Sequence, residues 1–182
     1  MNTTQWVLDP THSDLRFKVK HMMISTVTGH FGTFNATVET DGEDLGTAQI
    51  NFNAAISSIS TNNEQRDAHL KTGDFFEAEQ FPELTFLSTR LEKIDDENYK
   101  LHGDLSMRGV TKPVVLDVEF GGITKDLWGN TRAGFNVEGK INRKDFGVSF
   151  SMVSETGSIL LGEEVKIQAG VQFVKQQATQ AA

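Results

Sequence analysis

One short segment of the chain groups the side chains best suited to polar chemistry. Residues 61–86 read TNNEQRDAHLKTGDFFEAEQFPELTF, with Arg66, Asp67, His69 and Lys71 ahead of four phenylalanines. A guanidinium, an ammonium or an imidazole can bind the anionic or polar head group of a ligand. The same groups could instead form ion pairs that tie the segment to its neighbours, and such pairs stabilise little when they are exposed. The residue types leave both roles open.

Other kinds of polar site find less support. His21 and His30 could be neighbours across two strands, but no third ligand and no HxH or HExxH spacing accompanies them, so we predict no metal site. The chain has no cysteine, which excludes a disulfide and a thiolate nucleophile. No nucleophile-elbow sequence occurs, and the glycines at 121–122 precede no phosphate-binding pattern. We therefore predict a protein that is not an enzyme and needs no cofactor.

The same segment carries the one strong helix signal of the chain. Thr61 to Glu64 fits a capping box and Gly73 fits a C-terminal stop, which together predict a helix of about three turns. Ala68 and Leu70 are its few apolar residues. A helix this short and polar needs a larger body to lie against, and we expect it to cross one end of that body.

The composition of the chain limits which classes of partner and which location we predict. The formal charge of −8 argues against nucleic acid, because phosphate binding needs a basic surface. No apolar run is long enough to span a membrane. The N-terminal residues have neither a basic nor an apolar signal region, which predicts a cytoplasmic protein, or a periplasmic one if a signal peptide has been removed. Thirteen phenylalanines against two tryptophans and one tyrosine predict an aromatic interior that fills or lines a β-domain.

Alternation of apolar and polar residues predicts about eight strands. Their predicted spans are 12–21, 30–40, 46–57, 84–93, 98–109, 112–123, 131–142 and 164–175. Neighbours in sequence pair throughout, so we predict an all-β, eight-stranded antiparallel meander, with the helix between strands 3 and 4. Closure into a barrel would remove its edges, and a two-sheet sandwich is the alternative. Residues 1–175 would form one domain, and 176–182 a disordered tail.

Matching apolar positions predict the strand registers. For the first hairpin we place His21 opposite His30, which puts Phe17 opposite Phe34, with a loop at 22–29. Downstream, the predicted partners are Met107 with Val114, Leu105 with Leu116, Phe120 with Ala133, Val118 with Phe135, and Val137 with Ala169.

The order and spacing of several motifs resemble those of the YceI-like, polyisoprenoid-binding proteins, from Trp6 to about Phe173. The matching motifs are WVLDPTHS at 6–13, FKVKH at 17–21, GHF at 29–31, RDAHL at 66–70, DFF at 74–76, FPELTF at 81–86, GDL at 103–105, GVTKP at 109–113 and NRKDFG at 142–147. The resemblance implies a lipocalin-like barrel that holds an amphiphilic ligand such as a polyprenyl pyrophosphate or an isoprenoid quinone. It also implies a homodimer.

We therefore expect a carrier or store for a long-chain isoprenoid or similar lipid. The expected ligand-binding residues are Phe17, Val19, His21, Phe34, Val38, Phe75, Phe76, Phe81, Leu105, Leu116, Val118, Phe135 and Val137. The candidates for binding a polar head group are Arg66, His69, Lys71 and Arg143. A filled barrel that acts as a stress-related interaction module, or an enzyme that acts on bound lipid, are the alternatives.

Overall fold

Antiparallel strands make up most of the molecule. The computed structural model describes residues 3–22, 24–150 and 161–176. The strands are β1 (Thr3–Leu8), β2 (Asp14–His21), β3 (Ser25–Phe31), β4 (Phe34–Asp41), β5 (Asp44–Ala55), β6 (Ile59–Ser60), β7 (Glu83–Lys93), β8 (Asn98–Met107), β9 (Val110–Lys125), β10 (Thr131–Asn142) and β11 (Leu161–Lys175). One α-helix, α1 (Glu64–Leu70), lies between β6 and β7. Of the predicted tail only Gln176 is described.

Eight of these strands close into a barrel, which confirms the predicted fold class. The ring runs β1-β4-β5-β7-β8-β9-β10-β11, and pairing of β1 with β11 closes it. β1 pairs with β11 over residues 173–175, and β2 pairs with the same strand over 161–170, so the two short strands share one side of β11. β3 and then β6 extend the sheet from β2.

The predicted first hairpin is wrong. The segment taken as a loop at 22–29 contains most of β3, which places Phe17 opposite Gly29 and not opposite Phe34. β4 pairs instead with β1 and β5, and the strand β1 was not predicted at all. Matching apolar residues across the hairpin misled the prediction, because the large ring of Phe17 needs a partner without a side chain.

The turn between β8 and β9 shifts their register from the predicted one. Arg108 and Gly109 both have positive φ, at 51° and 72°, as a two-residue type I′ hairpin requires. This tight turn pairs Leu101, and not Leu105, with Leu116. The shift is four residues, an even number, so the inward face is the predicted one.

The β9–β10 register was also predicted incorrectly, whereas the next one was correct. An irregularity between Gly134 and Phe135 brings Val137, and not Phe135, opposite Val118. The same irregularity pairs Phe135, and not Ala133, with Phe120. Between β10 and β11, Val137 lies opposite Ala169 as predicted.

The helix is shorter than predicted and begins with a different cap. Asn63 is the N-cap, and its side chain accepts a hydrogen bond from the backbone N–H of Arg66. The helix has seven residues, about two turns, and ends at Leu70 with Lys71 as its C-cap, two residues before Gly73. Thr61 does not cap it, because its hydroxyl is committed to other partners.

The two ends of the barrel differ in what covers them. At the helix end lie the β2–β3 turn, α1 with residues 71–82, the β8–β9 turn and residues 143–150. At the hairpin end lie the turns at 42–43, 94–97 and 126–130. Arg108 joins two parts of the helix end, since it donates hydrogen bonds to the carbonyls of Phe75 (3.1 Å) and Gly147 (2.8 Å). At the helix end, α1 and the segments at 71–82 and 143–150 therefore cover the barrel and are joined by hydrogen bonds. At the hairpin end, only the turns between strands lie over it in the described part of the chain.

A cavity inside the barrel

The barrel encloses a cavity of about 440 Å³. That volume lies within the range of small-molecule sites and exceeds the water-sized voids of an ordinary protein interior. The apolar residues that line it are Trp6, Leu15, Phe17, Val19, Val27, Phe31, Ala36, Val38, Leu45, Ala48, Ile50, Phe52, Leu70, Phe75, Phe76, Leu84, Phe86, Leu91, Leu101, Leu105, Met107, Val114, Leu116, Val118, Ala133, Phe135, Val137, Ile141, Val148, Phe150, Leu161, Val165, Ile167, Ala169, Val171 and Phe173.

Strand alternation builds this lining. On β2, Phe17 and Val19 point into the cavity, while Lys18 and Lys20 point out of the barrel. The inward residues Phe17, Val19 and Val137 are only half-buried, because the cavity beside them is not filled by other side chains. The lining thus consists of the alternate side chains that point inward from each strand, and these side chains stay partly exposed to the cavity.

Polar side chains in the lining concentrate at the helix end. They are His21, Thr61, Arg66, His69 and Arg143. Arg16 also borders the cavity, but its side chain lies on the outward face of β2 and pairs with Asp14. At the hairpin end the lining is apolar and includes Trp6, Leu45 and Leu91. The cavity therefore has an apolar length and one polar end.

Thr61 and Asp67 anchor the helix at that polar end. The backbone N–H and the hydroxyl of Thr61 donate to Asp67 Oδ1, at 2.8 and 2.6 Å. Arg66 Nε donates to the Thr61 hydroxyl and Nη2 to the Thr61 carbonyl, both at 2.7 Å. Arg66 and Asp67 thus tie the helix to the rim through Thr61, and not through an ion pair with each other.

His69 forms part of an aromatic cluster. Its ring meets Phe75 and Phe150 edge-on, with centroid distances of 5.0 and 5.1 Å. Its Nε2 lies 2.8 Å from Asp74 Oδ2, which orients the imidazole. Phe75 is 6% exposed, so this aromatic cluster forms a packed part of the cavity wall at residues 75–76.

Arg143 is the buried cation of the site. It is 4% exposed and donates to the carbonyls of Val148 (2.8 Å), Phe150 (2.7 Å), Leu161 (3.3 Å) and Gly162 (2.8 Å). Burial lowers the pKa of its guanidinium, against a smaller opposing effect of Glu163. Among the described residues no carboxylate forms a salt bridge with it, and the four backbone carbonyls are its hydrogen-bond acceptors there.

Most of the predicted site residues line the cavity. They are Phe17, Val19, His21, Val38, Phe75, Phe76, Leu105, Leu116, Val118, Phe135 and Val137, with the head-group candidates Arg66, His69 and Arg143. Phe34, Phe81 and Lys71 do not line it: Phe34 packs on Phe52, Phe81 packs against Gly109, and Lys71 is the C-cap of α1. Whether any of these residues touches a ligand stays a prediction.

Sequence reasoning missed several lining residues for identifiable reasons. Trp6 was missed because β1 was not predicted. Val165 and Ile167 share the inward parity of Ala169, so strand alternation on β11 could have identified them. Phe150 follows β10 in a segment without regular structure, where no periodicity signals its direction.

The described part of the chain offers neither a metal site nor a membrane-spanning helix. There, no three His, Asp or Glu side chains converge in an arrangement that could hold a metal ion. No helix among residues 3–22, 24–150 and 161–176 has the length and apolar character to cross a membrane.

Known proteins resemble this chain in sequence or in fold. The model of the YceI-like domain family matches residues 6–173. A UPF0312 protein of Staphylococcus aureus strain MSSA476 is 39% identical over 171 residues, which cover 93% of this chain and 97% of that protein. BcnA of Burkholderia cenocepacia has the same fold with a TM-score of 0.79, at 20% identity over 91% of this chain and 98% of BcnA.

A further solved structure shares the fold. A polyisoprenoid binding domain from Saccharophagus degradans superposes with a TM-score of 0.69, at 16% identity over 94% of this chain and 98% of that domain. The chain belongs to the YceI-like domain family.

Proposed function

We propose that this protein binds one long-chain isoprenoid or similar amphiphilic lipid inside its barrel, and so stores or transports it. The observation that carries the proposal is the cavity of about 440 Å³ with an apolar lining and a polar end. Membership of the YceI-like family and the likeness to a polyisoprenoid binding domain support it. Catalysis is not part of the proposal.

The distribution of polar groups orients the ligand. The hydrocarbon tail lies along the strands towards Trp6 and Leu91, where each enclosed methylene contributes about 0.8 kcal/mol. The polar end lies near His21, His69 and Arg143 at the helix end. A polyprenyl pyrophosphate or an isoprenoid quinone has this division into an apolar chain and a polar head. Ordering of the chain offsets part of the gain.

Native mass spectrometry of the purified protein, with organic extraction of what co-purifies, tests the proposal directly. We expect a stoichiometric adduct whose mass corresponds to an isoprenoid or a similar lipid. An empty protein that also fails to bind added prenyl lipids would contradict the proposal and favour a filled interaction module. The same spectra report the oligomeric state, and so test the homodimer that the resemblance implies.

A pair of variants separates binding in the cavity from binding on the surface. Ala169 lines the cavity, and Ala169→Phe adds a ring to the enclosed volume. Its neighbour Gln168 points out of the barrel, so Gln168→Phe is the matched control. We expect the first variant to lose the lipid adduct and the second to retain it. Equal retention by both folded variants would show that the lipid does not occupy this cavity.

A further inference from the structure

Three lysines lie opposite one another on adjacent strands of the outer wall. Lys140 on β10 pairs with Lys166 on β11, and Lys166 pairs with Lys18 on β2. Neighbouring strands lie about 4.8 Å apart. Like charges directly opposite each other destabilise a sheet, so this row carries a cost to folding.

The surrounding wall does not neutralise the row. Lys140 has Glu164 at 3.8 Å, but Lys18, Lys20 and Lys166 form no ion pair with any residue that the structure describes. The carboxylate of Asp14 forms a salt bridge with Arg16 on the same strand, with 2.9 Å between Oδ2 and Nε. Around the row, the outward positions at 14–20 of β2, 138–140 of β10 and 164–166 of β11 carry more cations than carboxylates. They are Arg16, Lys18, Lys20, Lys140 and Lys166 against Asp14, Glu138 and Glu164. A chain with a net charge of −8 thus holds a locally basic wall.

Apolar side chains project from the turn beside this wall. His21 pairs with Ser25, and in the turn between them Met22 is 48% exposed and Ile24 85% exposed. The turn is about 10 Å from Lys18, at about 3.3 Å per residue along β2. His21 lines the cavity, so the exposed turn is continuous with the polar end of the proposed lipid site.

The geometry points to a docking surface for an anionic lipid bilayer, formed by the β10–β11–β2 wall and the β2–β3 turn. The lysines lie against anionic head groups, and Ile24 and Met22 enter the interface beside the polar end of the cavity. Interfacial binding combines such buried apolar area with electrostatic attraction to anionic lipids. This inference rests on the proposed lipid-binding function, and it assigns the membrane as the source or destination of the ligand.

The hairpin end provides an internal comparison. Leu127 and Trp128 in its 126–130 turn are 95% and 80% exposed, more than Met22 and Ile24. The adjacent turns carry Glu43 and the run Asp95-Asp96-Glu97, which an anionic surface repels. Exposed apolar side chains thus occur at both ends, and α1 with residues 71–82 also carries carboxylates at the helix end. What favours the β2–β3 turn for docking is the presence of Lys18 and Lys20, which form no ion pair with any described residue, on the strand that leads into it.

Co-sedimentation with vesicles tests the docking surface. The probe is a phosphatidylglycerol–phosphatidylcholine vesicle, with pure phosphatidylcholine as the neutral comparison. We expect binding to the anionic vesicles that weakens as salt rises. Each lysine near such a surface contributes enough that Lys18→Gln with Lys166→Gln should lower the partition coefficient about thirty-fold. The control pair Lys112→Gln with Lys125→Gln, on exposed positions outside the wall, should leave it within about two-fold.

A second pair of variants tests the turn. Ile24→Ser should weaken vesicle binding, whereas Leu127→Ser at the hairpin end should not. The Lys18→Gln, Lys166→Gln protein should also be at least as stable as the parent, because it relieves like-charge contacts. Absence of binding to anionic vesicles, equal losses in the wall and control pairs, or capture by acidic proteins in place of vesicles would overturn the proposal.

Native mass spectrometry separates this inference from the proposed function. A wall variant that keeps its lipid adduct but loses vesicle binding supports docking as a separate property. A parent protein that keeps the adduct and never binds vesicles refutes docking alone. A parent protein that docks on vesicles but neither carries lipid nor binds added prenyl lipids would refute the proposed cavity ligand and leave the docking surface intact.

Discussion

The ring of Phe17 lies directly over Gly29 on the neighbouring strand. A Cβ atom built on Gly29 would lie 2.7 Å from Phe17 Cε1 and closer still to Cζ. The ring also packs on Phe31, with centroids 5.6 Å apart. Because Gly29 has no side chain, the ring of Phe17 can occupy this position in the cavity wall.

We expect Gly29→Ala to displace this ring and to reshape the cavity wall. Overpacking of this kind costs about 1–3 kcal/mol, which denaturant unfolding would measure. Affinity for an apolar fluorescent probe should change in the same variant. Gly73→Ala is the matched control, because a Cβ there meets nothing within 4 Å. Equal stability of the two variants would show that the ring moves aside without cost.

Arg143 should be a strong determinant of stability. Arg143→Met leaves the carbonyls of Val148, Phe150 and Gly162 without their donor, and we expect a loss of about 2–4 kcal/mol in the free energy of unfolding. Arg143→Lys keeps the charge but not the planar guanidinium, so its free energy of unfolding should lie between those of the parent protein and of Arg143→Met. Arg90→Met, on an exposed arginine, is the control and should change stability by less than about 0.5 kcal/mol.

The lipid adduct should depend on the inward face of β2 and β10. Replacing both Phe17 and Phe135 with Asp places two carboxylates in the apolar lining and should abolish lipid binding in native mass spectra. Circular dichroism must first show that the variant is folded. Undiminished binding in a folded double variant would refute the assignment of these two residues to the cavity.

Asp9, Arg132 and Asp126 predict how stability responds to acid. Arg132 donates to Asp9 at 2.7 Å and to Asp126 at 2.8 Å. These bonds lower the pKa of Asp126 to about 2, and the Arg132 bond is the main cause that holds the pKa of Asp9 well below its usual range. Both folded pKa values are thus depressed below the unfolded value of about 3.9.

The sign of the acid effect follows from that depression. The stability these carboxylates contribute is fully present above about pH 4 and is lost as pH falls through their folded pKa values. We expect Arg132→Gln to lower the melting temperature at pH 7, with the gap to the parent narrowing as pH falls from 4 towards 2. Arg90→Gln should show no such dependence. A gap that stays constant with pH would contradict the linkage.

Strand periodicity and local motifs predicted many of the residues that line the cavity. Strand alternation correctly assigned the inward faces of β2, β9 and β10, and so placed Phe17, Leu116 and Val137 in the lining. Alternation alone could not identify partners on other strands. The register error between β8 and β9 was four residues, an even number, so the inward side chains were still predicted correctly. The strand β3, which pairs with β2, was not predicted. The head-group candidates were chosen by residue type, which did not predict their partners. Arg66 donates to Thr61 and His69 lies beside Asp74, both five residues away in the chain. Arg143 donates to carbonyls between five and nineteen residues away.

The sequence by itself determined the family, the all-β composition and the inward faces of β2, β9 and β10, because those depend on residue order and on the two-residue period of a strand. Only the tertiary structure decided that β1 closes the ring with β11, that Gly29 and not Phe34 receives Phe17, and that three lysines meet on one wall. The physical reason is that strand pairing joins residues far apart in sequence. The enclosed cavity likewise depends on how all eight strands pack around it.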